Sequence, residues 1–179
     1  MLKKILIGLG VVVALFVAVV AMQSPEFKVV RETSIAATPG VAFAQVNDFH
    51  YWKDWSPWAK LDPAAKEVYE GPAAGTGAVF RWAGNNQVGE GSMTITESRP
   101  SDLTVLQLNF LKPFKATNTV EFTFKPEGDQ TLVTWSMTGK KNFIAKAMSL
   151  FMHCEKICGD QFDKGLAQLK TVSEGRAQQ

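Results

Sequence analysis

The most regular hydrophobic segment of the chain is an apolar run from Ile5 to Met22 that contains no charged residue. At a rise of about 1.5 Å per residue, a helix over this run is roughly 27 Å long, just enough to cross the hydrocarbon layer of a bilayer. Lys3 and Lys4 precede the run, and no comparable basic pair follows it closely. The pattern therefore predicts a single-pass helix in the cytoplasmic membrane, with the N-terminus in the cytoplasm and the following domain extracytoplasmic.

A cleaved signal peptide is the alternative interpretation of the same segment. Its charged region would be Met1–Lys4, its apolar region Ile5–Val20, and cleavage would follow Ala21. This alternative predicts a secreted or periplasmic protein, so both interpretations place the domain outside the cytoplasm. A buried core helix is disfavoured because the run has no polar face.

The segment after the apolar run predicts one strand and two short helices. Residues Phe27–Ala36 are rich in β-branched side chains, which is typical of a strand. Thr38 is a predicted N-cap, and Pro39 suits the first position of a helix that ends near Asn47. The apolar side of that helix is predicted to contain Val41, Phe43 and Ala44. A second short helix or turn is predicted around Tyr51–Trp55.

The middle of the chain alternates apolar and polar residues with a period of two, which predicts six further strands separated by turns. The first of these strands is the short segment Glu67–Glu70. Within each later strand the predicted positions that share a face are Ala78, Phe80 and Trp82; Gly89, Gly91, Met93 and Ile95; Leu106, Leu108 and Phe110; Val120, Phe122 and Phe124; and Val133, Trp135 and Met137.

The C-terminal part of the chain has apolar residues at a spacing of three or four, which predicts one long amphipathic helix. The apolar stripe consists of Ile144, Met148, Phe151, Cys154, Cys158, Phe162, Leu166 and Leu169. Gly159 and Gly165 interrupt it, and each indicates either a bend or a close approach of the helix to the sheet.

Length and charge indicate one globular domain with no general attraction for nucleic acid. The predicted boundaries are 1–24 for the anchor, 25–171 for the domain and 172–179 for a polar tail. When Lys3 and Lys4 are excluded, the 19 basic and 17 acidic side chains become 17 and 17. A neutral domain without a basic cluster excludes nucleic acid as an expected partner.

The two cysteines are predicted to be small apolar side chains of the last helix. Cys154 and Cys158 are four residues apart, so their Cα–Cβ bonds are nearly parallel, which is poor geometry for a disulfide. Two sulfur atoms alone also fall short of a structural zinc site. Buried, unpaired thiols are therefore favoured over a redox or metal role.

The order of predicted elements resembles the START-like helix-grip fold of the SRPBCC superfamily, and within it the bacterial polyketide cyclase/dehydrase and lipid-transport family. The resemblance rests on three segments: residues 52–58 (WKDWSPW), 89–93 (GEGSM) and 162–170 (FDKGLAQLK). It implies an α+β fold in which an antiparallel sheet of about seven strands wraps around a long C-terminal helix. These segments are structural signatures and do not constitute a catalytic motif.

The resemblance implies a ligand cavity between the sheet and the last helix. Trp52, Trp55 and Trp58 recur every three residues, and they are interpreted either as an aromatic gate for an apolar ligand or as a hydrophobic plug that closes one end. The full set of candidate cavity residues is Trp52, Trp55, Trp58, Phe80, Trp82, Met93, Leu108, Phe122, Trp135, Met137, Phe151, Cys154 and Cys158.

Catalytic and metal chemistry have weak support in the sequence. His50 and His153 are the available bases at neutral pH, and neither belongs to a recognisable catalytic motif. Glu155 and Asp160 are expected to be solvated positions of the last helix. No phosphate loop or metal-ligand cluster is apparent, so no catalytic residue, cofactor or metal is predicted.

The sequence thus favours a membrane-tethered extracytoplasmic domain that binds a hydrophobic small molecule or lipid, because the predicted inward positions are almost all apolar. The first alternative is an enzyme of the polyketide cyclase/aromatase kind. The second is an interaction module with a filled core and no ligand.

Overall fold

The computed structural model describes residues 2–151 and 154–178, with only the backbone of residue 154. The helices are α1 (Leu2–Met22), α2 (Pro39–Asn47), α3 (Trp52–Trp55), α4 (Phe143–Ser149) and α5 (Cys154–Ala177), and a 3₁₀ turn, Phe49–Tyr51, precedes α3. The strands are β1 (Glu26–Ile35), β2 (Lys66–Glu70), β3 (Val79–Ala83), β4 (Glu90–Arg99), β5 (Leu103–Lys112), β6 (Ala116–Glu127) and β7 (Gln130–Lys140).

The seven strands form one antiparallel sheet in the order β1-β7-β6-β5-β4-β3-β2. Strands β2 to β7 are therefore a meander of hairpins, and β1 pairs with β7 at the other edge, with Glu26 opposite Lys140. The alternating pattern predicted these strands correctly, since apolar residues at every second position bury one face of the sheet. The predicted α+β helix-grip fold is confirmed.

The core lies between α5 and the apolar face of the sheet. Phe162, Leu166 and Leu169 of α5 are at most 2% exposed, as are Phe122 and Phe124 of β6. Helix α2 adds a second apolar layer, and the ring of Phe43 packs edge-on against Phe124 at 5.6 Å. Burial of large apolar side chains from both layers is the main stabilising contribution to such a domain.

The prediction of one continuous C-terminal helix is wrong. The apolar stripe is divided between α4 and α5, and Ile144 and Phe151 are exposed rather than packed on the sheet. Asn142 starts α4 as its N-cap, because its side chain accepts a hydrogen bond from the Ala145 N–H at 2.8 Å. The C-terminal end of α4 is next to α1, where the ring of Phe151 stacks on Phe16 at 6.3 Å.

The end of the chain is also more ordered than the polar composition predicts. Helix α5 continues to Ala177, where a separate tail was expected from residue 172. Ser173 is fully buried, and Glu174 accepts a hydrogen bond from the Ala36 N–H at 2.8 Å. The guanidinium of Arg176 lies 4.3 Å from the centre of the Tyr51 ring. These contacts hold the last turns against β1 and the segment before α3.

Helix α2 begins at Pro39 as predicted, but two details of the prediction are wrong. Thr38 makes no side-chain cap hydrogen bond, and Ala44 is exposed. The buried face of α2 instead contains Ala42, Phe43, Gln45 and Val46.

Helix α1 is the one helix among the described residues that is long and apolar enough to span a membrane. It is exposed along its described length except at Val20. By length and composition a signal sequence meets the same criterion, so both interpretations of the N-terminal segment are compatible with this helix.

Candidate ligand cavity

A cavity of about 200 Å³ lies between α5, the apolar face of the sheet and the segment from Phe49 to Ala59. The predicted residues that line it are Trp52, Trp58, Phe80, Trp82, Met93, Leu108, Trp135, Met137 and Cys158. These side chains come from four strands, from α3 and its flanking turn, and from α5. The cavity is therefore bounded by elements that are distant in sequence, and most of its wall is apolar.

Stacked aromatic rings form the part of the wall nearest the core. Trp135 stacks on Phe162 with ring centres 4.0 Å apart and an interplanar angle of 8°. Trp58 meets both rings edge-on, at 5.9 Å from Trp135 and 6.3 Å from Phe162. Such edge-to-face and stacked pairs stabilise a fixed arrangement beyond the burial of their area. The wall at this side is consequently well defined.

Gly165 allows α5 to lie directly on this aromatic wall. A Cβ atom at residue 165 would lie 2.7 Å from Cζ3 of Trp135 and 3.1 Å from the ring of Pro57. Gly165 was expected to mark either a bend in the helix or a close approach of the helix to the sheet, and the structure has the close approach. Gly91 has the same role beside Trp82, because a Cβ atom there would lie 2.5 Å from the indole ring.

The three tryptophans of the WKDWSPW segment divide between the two predicted roles. Trp55 is fully buried, does not line the cavity, and donates its indole N–H to the Gln45 carbonyl at 3.0 Å. Trp52 donates to the Val46 carbonyl at 2.9 Å and also lines the cavity, as Trp58 does. Trp55 therefore closes the end of the core, whereas Trp52 and Trp58 present apolar surface to the cavity.

The opposite wall is formed by β3, β4 and β5. Trp82 donates its N–H to the Val88 carbonyl at 2.9 Å, and its ring stacks on Phe80 at 5.9 Å. Because the indole nitrogen is satisfied locally, Trp82 contributes an apolar face. By contrast, Trp135 Nε1 is buried and has no hydrogen-bond partner among the described residues.

The polar groups that line the cavity all come from the segment that runs from α3 to the β3–β4 hairpin. The Tyr69 hydroxyl donates to Glu67 Oε2 at 2.9 Å, and both residues line the cavity. Burial, followed by the neighbouring Glu67 and Asp48 carboxylates, raises the pKa of Tyr69 to about 12, so the phenol remains a neutral donor at neutral pH. The other polar lining residues are Lys53, Ser56, Asp62 and Gln87.

Cys158 lines the cavity from the first turns of α5 and is partly buried. Burial raises the pKa of its thiol to about 11, an effect that the charge of Arg31 opposes in part. A thiol with a raised pKa is a poor nucleophile at neutral pH. Cys158 therefore contributes a small apolar surface, and the side chain of Cys154 lies outside the described residues.

His50 lies outside the main cavity, next to a second cavity of about 230 Å³. Its Nδ1 is 2.7 Å from Asp48 Oδ1, and its ring stacks on Tyr69 at 4.3 Å. The imidazole is half exposed and oriented by the carboxylate. His153 lies outside the described residues. Glu155 and Asp160 are exposed, as expected for solvated positions of the last helix.

Three of the candidate cavity residues are located elsewhere. Trp55 and Phe122 are fully buried among other aromatic rings, and neither lines the cavity. Phe151 is 76% exposed beside α1, because the predicted helix is divided before α5 begins. Among residues 2–151 and 154–178, no group of three or more His, Cys, Asp and Glu side chains is arranged to hold a metal ion.

Several lining residues were not among the sequence candidates. Phe110, Val120 and Phe162 belong to apolar patterns that the sequence displays, so the pattern could have identified them. Phe49 and Tyr69 had no such signal, because the first lies in a short 3₁₀ turn and the second in a strand whose other four residues are exposed. These two lining residues were therefore missed.

Solved structures with the same fold include protein CV1439 from Chromobacterium violaceum, at 12% identity and a TM-score of 0.60, covering 82% of this chain and 96% of that one. The Aha1 dimer from Colwellia psychrerythraea is similar at 16% identity and a TM-score of 0.59, covering 83% and 96%. The di-domain ARO/CYC protein StfQ from the steffimycin biosynthetic pathway is similar at 15% identity and a TM-score of 0.60, covering 87% and 52%.

A sequence comparison with functionally curated proteins gives no match. The family profile for polyketide cyclase/dehydrase and lipid transport proteins, in contrast, matches residues 26–174, which includes every strand and most of α5. The chain belongs to the polyketide cyclase/dehydrase and lipid transport family.

Proposed function

We propose that this protein is a membrane-tethered extracytoplasmic domain that binds one hydrophobic small molecule or lipid chain in the cavity beneath α5. The observation that carries the proposal is the cavity itself, whose wall is mostly aromatic and aliphatic. Apolar surface of this kind favours an apolar ligand, and a few polar groups at one side are enough to orient its polar end. Tyr69 and Glu67 occupy that position here.

The volume of the cavity supports a small ligand or a single chain. An engineered cavity of about 150 Å³ in another protein holds benzene, so a cavity of about 200 Å³ suits a small ring system or part of one alkyl chain. A two-chain lipid would have to leave most of its volume outside. The same volume argues against an interaction module with a filled core.

The ligand is tested by native mass spectrometry of the full chain released from lipid nanodiscs. We expect a co-purifying apolar molecule on the wild type and on Cys158→Ala. We expect Cys158→Trp to lose that molecule while it remains folded, because the indole would occupy the space beside Trp135 and Met137. A wild type without ligand, combined with a Cys158→Trp variant that unfolds through overpacking, would overturn the proposal in favour of a filled core.

An enzyme of the cyclase kind is the second candidate function. The specific observation that favours it is the polar group beside the cavity, in which Asp48 orients His50 and the His50 ring stacks on Tyr69. A cyclase that depended on this histidine as a base would lose activity in His50→Ala while it retained ligand. A carrier would also retain its ligand in His50→Ala, but it would have no activity to lose. The loss of activity in this one variant therefore distinguishes the two classes.

The tether is tested by reporter fusions. A phosphatase fused after Gln179 should be active if residues beyond α1 are extracytoplasmic, and a reporter that works only in the cytoplasm should be silent at the same position. The reverse result would contradict the predicted topology. An isolated protein whose N-terminus begins at Met22 would replace the anchor with a signal peptide.

A further inference from the structure

The end of the sheet nearest α1 has an exposed apolar surface, which we name the apolar rim. It consists of Leu111 and Phe114 in the β5–β6 hairpin, Phe143, Ile144 and Phe151 in and after α4, and Ile157 in α5; each is between 47% and 76% exposed. Contiguous exposed apolar surface of this kind commonly marks a contact with a protein or a membrane. The helix-grip core does not account for the rim, since each of these side chains is about half exposed or more.

The strand register places the members of the rim at one end of the domain. Phe110 pairs with Ala116 and Asn118 pairs with Gly139, so the β5–β6 hairpin and the end of β7 lie side by side. Glu26 pairs with Lys140, so the start of β1 lies at this same end of the sheet. The end of α1, which directly precedes β1, therefore lies there too. The hairpin, α4 and the exit of the anchor thus share one end of the sheet.

The contact between α1 and the segment after α4 sets the depth of the rim. Phe151 stacks on Phe16, and Lys146 Nζ lies 3.5 Å from the carbonyl oxygen of Ala21. Phe16 precedes the last residue of α1 by six positions, which is about 9 Å along a helix. Amphipathic segments that lie in a membrane surface insert their apolar side by about 5–10 Å, so Phe151 lies at the depth of such a segment if α1 spans the bilayer.

The charge around the rim matches an anionic lipid surface. Residues 111–116 and 139–151 contain five lysines and no carboxylate. Lys112 pairs with Glu90 and Lys141 pairs with Glu155, so the surrounding carboxylates offset only part of this charge. Lysines beside an apolar surface segment are attracted to anionic headgroups, and this attraction adds to the burial of the apolar side chains.

We infer that the apolar rim docks the domain onto the surface of the bilayer at the exit of α1. This inference rests on the proposed membrane tether. Two lining residues of the cavity, Met137 and Cys158, lie towards this end of the domain, near the end of β7 and the start of α5. Docking would therefore hold the ligand cavity close to the lipid surface, and a lipid chain would have a short path between them.

The test uses the full chain in vesicles of phosphatidylcholine and phosphatidylglycerol. An environment-sensitive fluorophore is placed at Ile144→Cys in a background with Cys154→Ser and Cys158→Ser. The matched control carries it at Asp129→Cys, in the β6–β7 hairpin at the opposite end of the sheet. We expect lipids with a nitroxide near the headgroup to quench the label at 144 several-fold more strongly than the label at 129. Equal quenching would overturn the inference.

Charge variants add a second arm. Lys115→Gln with Lys140→Gln should weaken quenching at 144 when phosphatidylglycerol is present and leave it unchanged in phosphatidylcholine alone, whereas Lys125→Gln at the far end should have no effect. A label at 144 that is shielded from aqueous iodide but not quenched by the lipid nitroxide would mean that a second copy covers the rim, which contradicts docking on lipid. Bound ligand is read separately by mass spectrometry, so the docking and the cavity function can fail independently.

Discussion

Helices α4 and α5 follow one another in the chain and continue one spacing of apolar residues, but the two helices have different surroundings. In α5, Phe162, Leu166 and Leu169 are at most 2% exposed against the sheet. In α4 and the turn after it, Ile144 and Phe151 are more than half exposed. A spacing of three or four thus specifies which side of a helix is apolar but not what that side contacts.

The division between the two helices follows from where each one starts. Strand β7 ends at Lys140 and Asn142 caps α4 directly, so α4 begins beyond the end of the sheet. At that position the neighbour is α1 rather than the apolar face of the strands. Of these two helices, α5 is the one that crosses the face of the sheet and whose side chains line the cavity.

The largest expected difference between the two helical segments is in the free energy of unfolding when one phenylalanine of each is replaced by alanine. Phe162→Ala should lower the free energy of unfolding by about 3–5 kcal/mol, because a fully buried ring stacked on Trp135 is replaced by a void. Phe151→Ala should cost less than about 1 kcal/mol, because its ring is 76% exposed. Chemical denaturation of both variants in the same detergent measures the difference. Equal losses would show that the two segments are packed alike.

The fold was predictable from the sequence because its signals are local. Alternation at every second residue, with turns such as Glu127 to Asp129, is sufficient for a meander of strands. The apolar run likewise predicts α1. The division of the last helix was not predictable from spacing alone, because the α4 segment contacts Phe16 and Ala21 of α1, which are more than a hundred residues away in the chain.

The candidate cavity was predictable only in part for a similar reason. Phe122 and Trp135 occupy equivalent alternating positions, yet only Trp135 lines the cavity, because neighbouring rings cover Phe122 on several sides. Which inward residue reaches open space depends on how closely the layers approach. The sequence has no direct signal for that distance except small residues such as Gly165.

A chemical comparison of the same segments uses thiol reactivity. The pKa of Cys158 is raised from 9.0 to about 11 by burial, so at neutral pH its thiolate fraction, and hence its alkylation by iodoacetamide, should be about 100-fold lower in the folded than in the unfolded chain. A cysteine introduced by Ile144→Cys on α4 should react rapidly in both states. Tryptic peptides separate these positions from Cys154, because Lys146 and Lys156 lie between them. Equally fast alkylation at 144 and 158 would contradict the burial of this face of α5.

The same shift predicts the sign of a pH dependence. Because the folded pKa lies above the unfolded one, the thiol contributes stability that is fully present below about pH 9 and is lost as the pH rises through about 11. The free energy of unfolding, measured by denaturation at several pH values over this range, should therefore fall with pH in the wild type. Cys158→Ala should remove the contribution of the thiol to that slope. A slope that is identical in wild type and variant would contradict the assignment.

The smallest expected effect compares two glycines on α5 itself. Gly165→Ala should cost about 1–3 kcal/mol of unfolding free energy, because the new methyl group would lie 2.7 Å from Trp135 and force α5 away from the cavity wall. Gly175→Ala should be neutral or stabilise by up to about 1 kcal/mol, because no atom lies within 4 Å of its methyl position and alanine is the better helix former. Thermal denaturation ranks the two variants. Should both be stabilising, Gly165 would be an ordinary helix position, and the close approach of α5 to the sheet would not be what sets the boundary of the cavity.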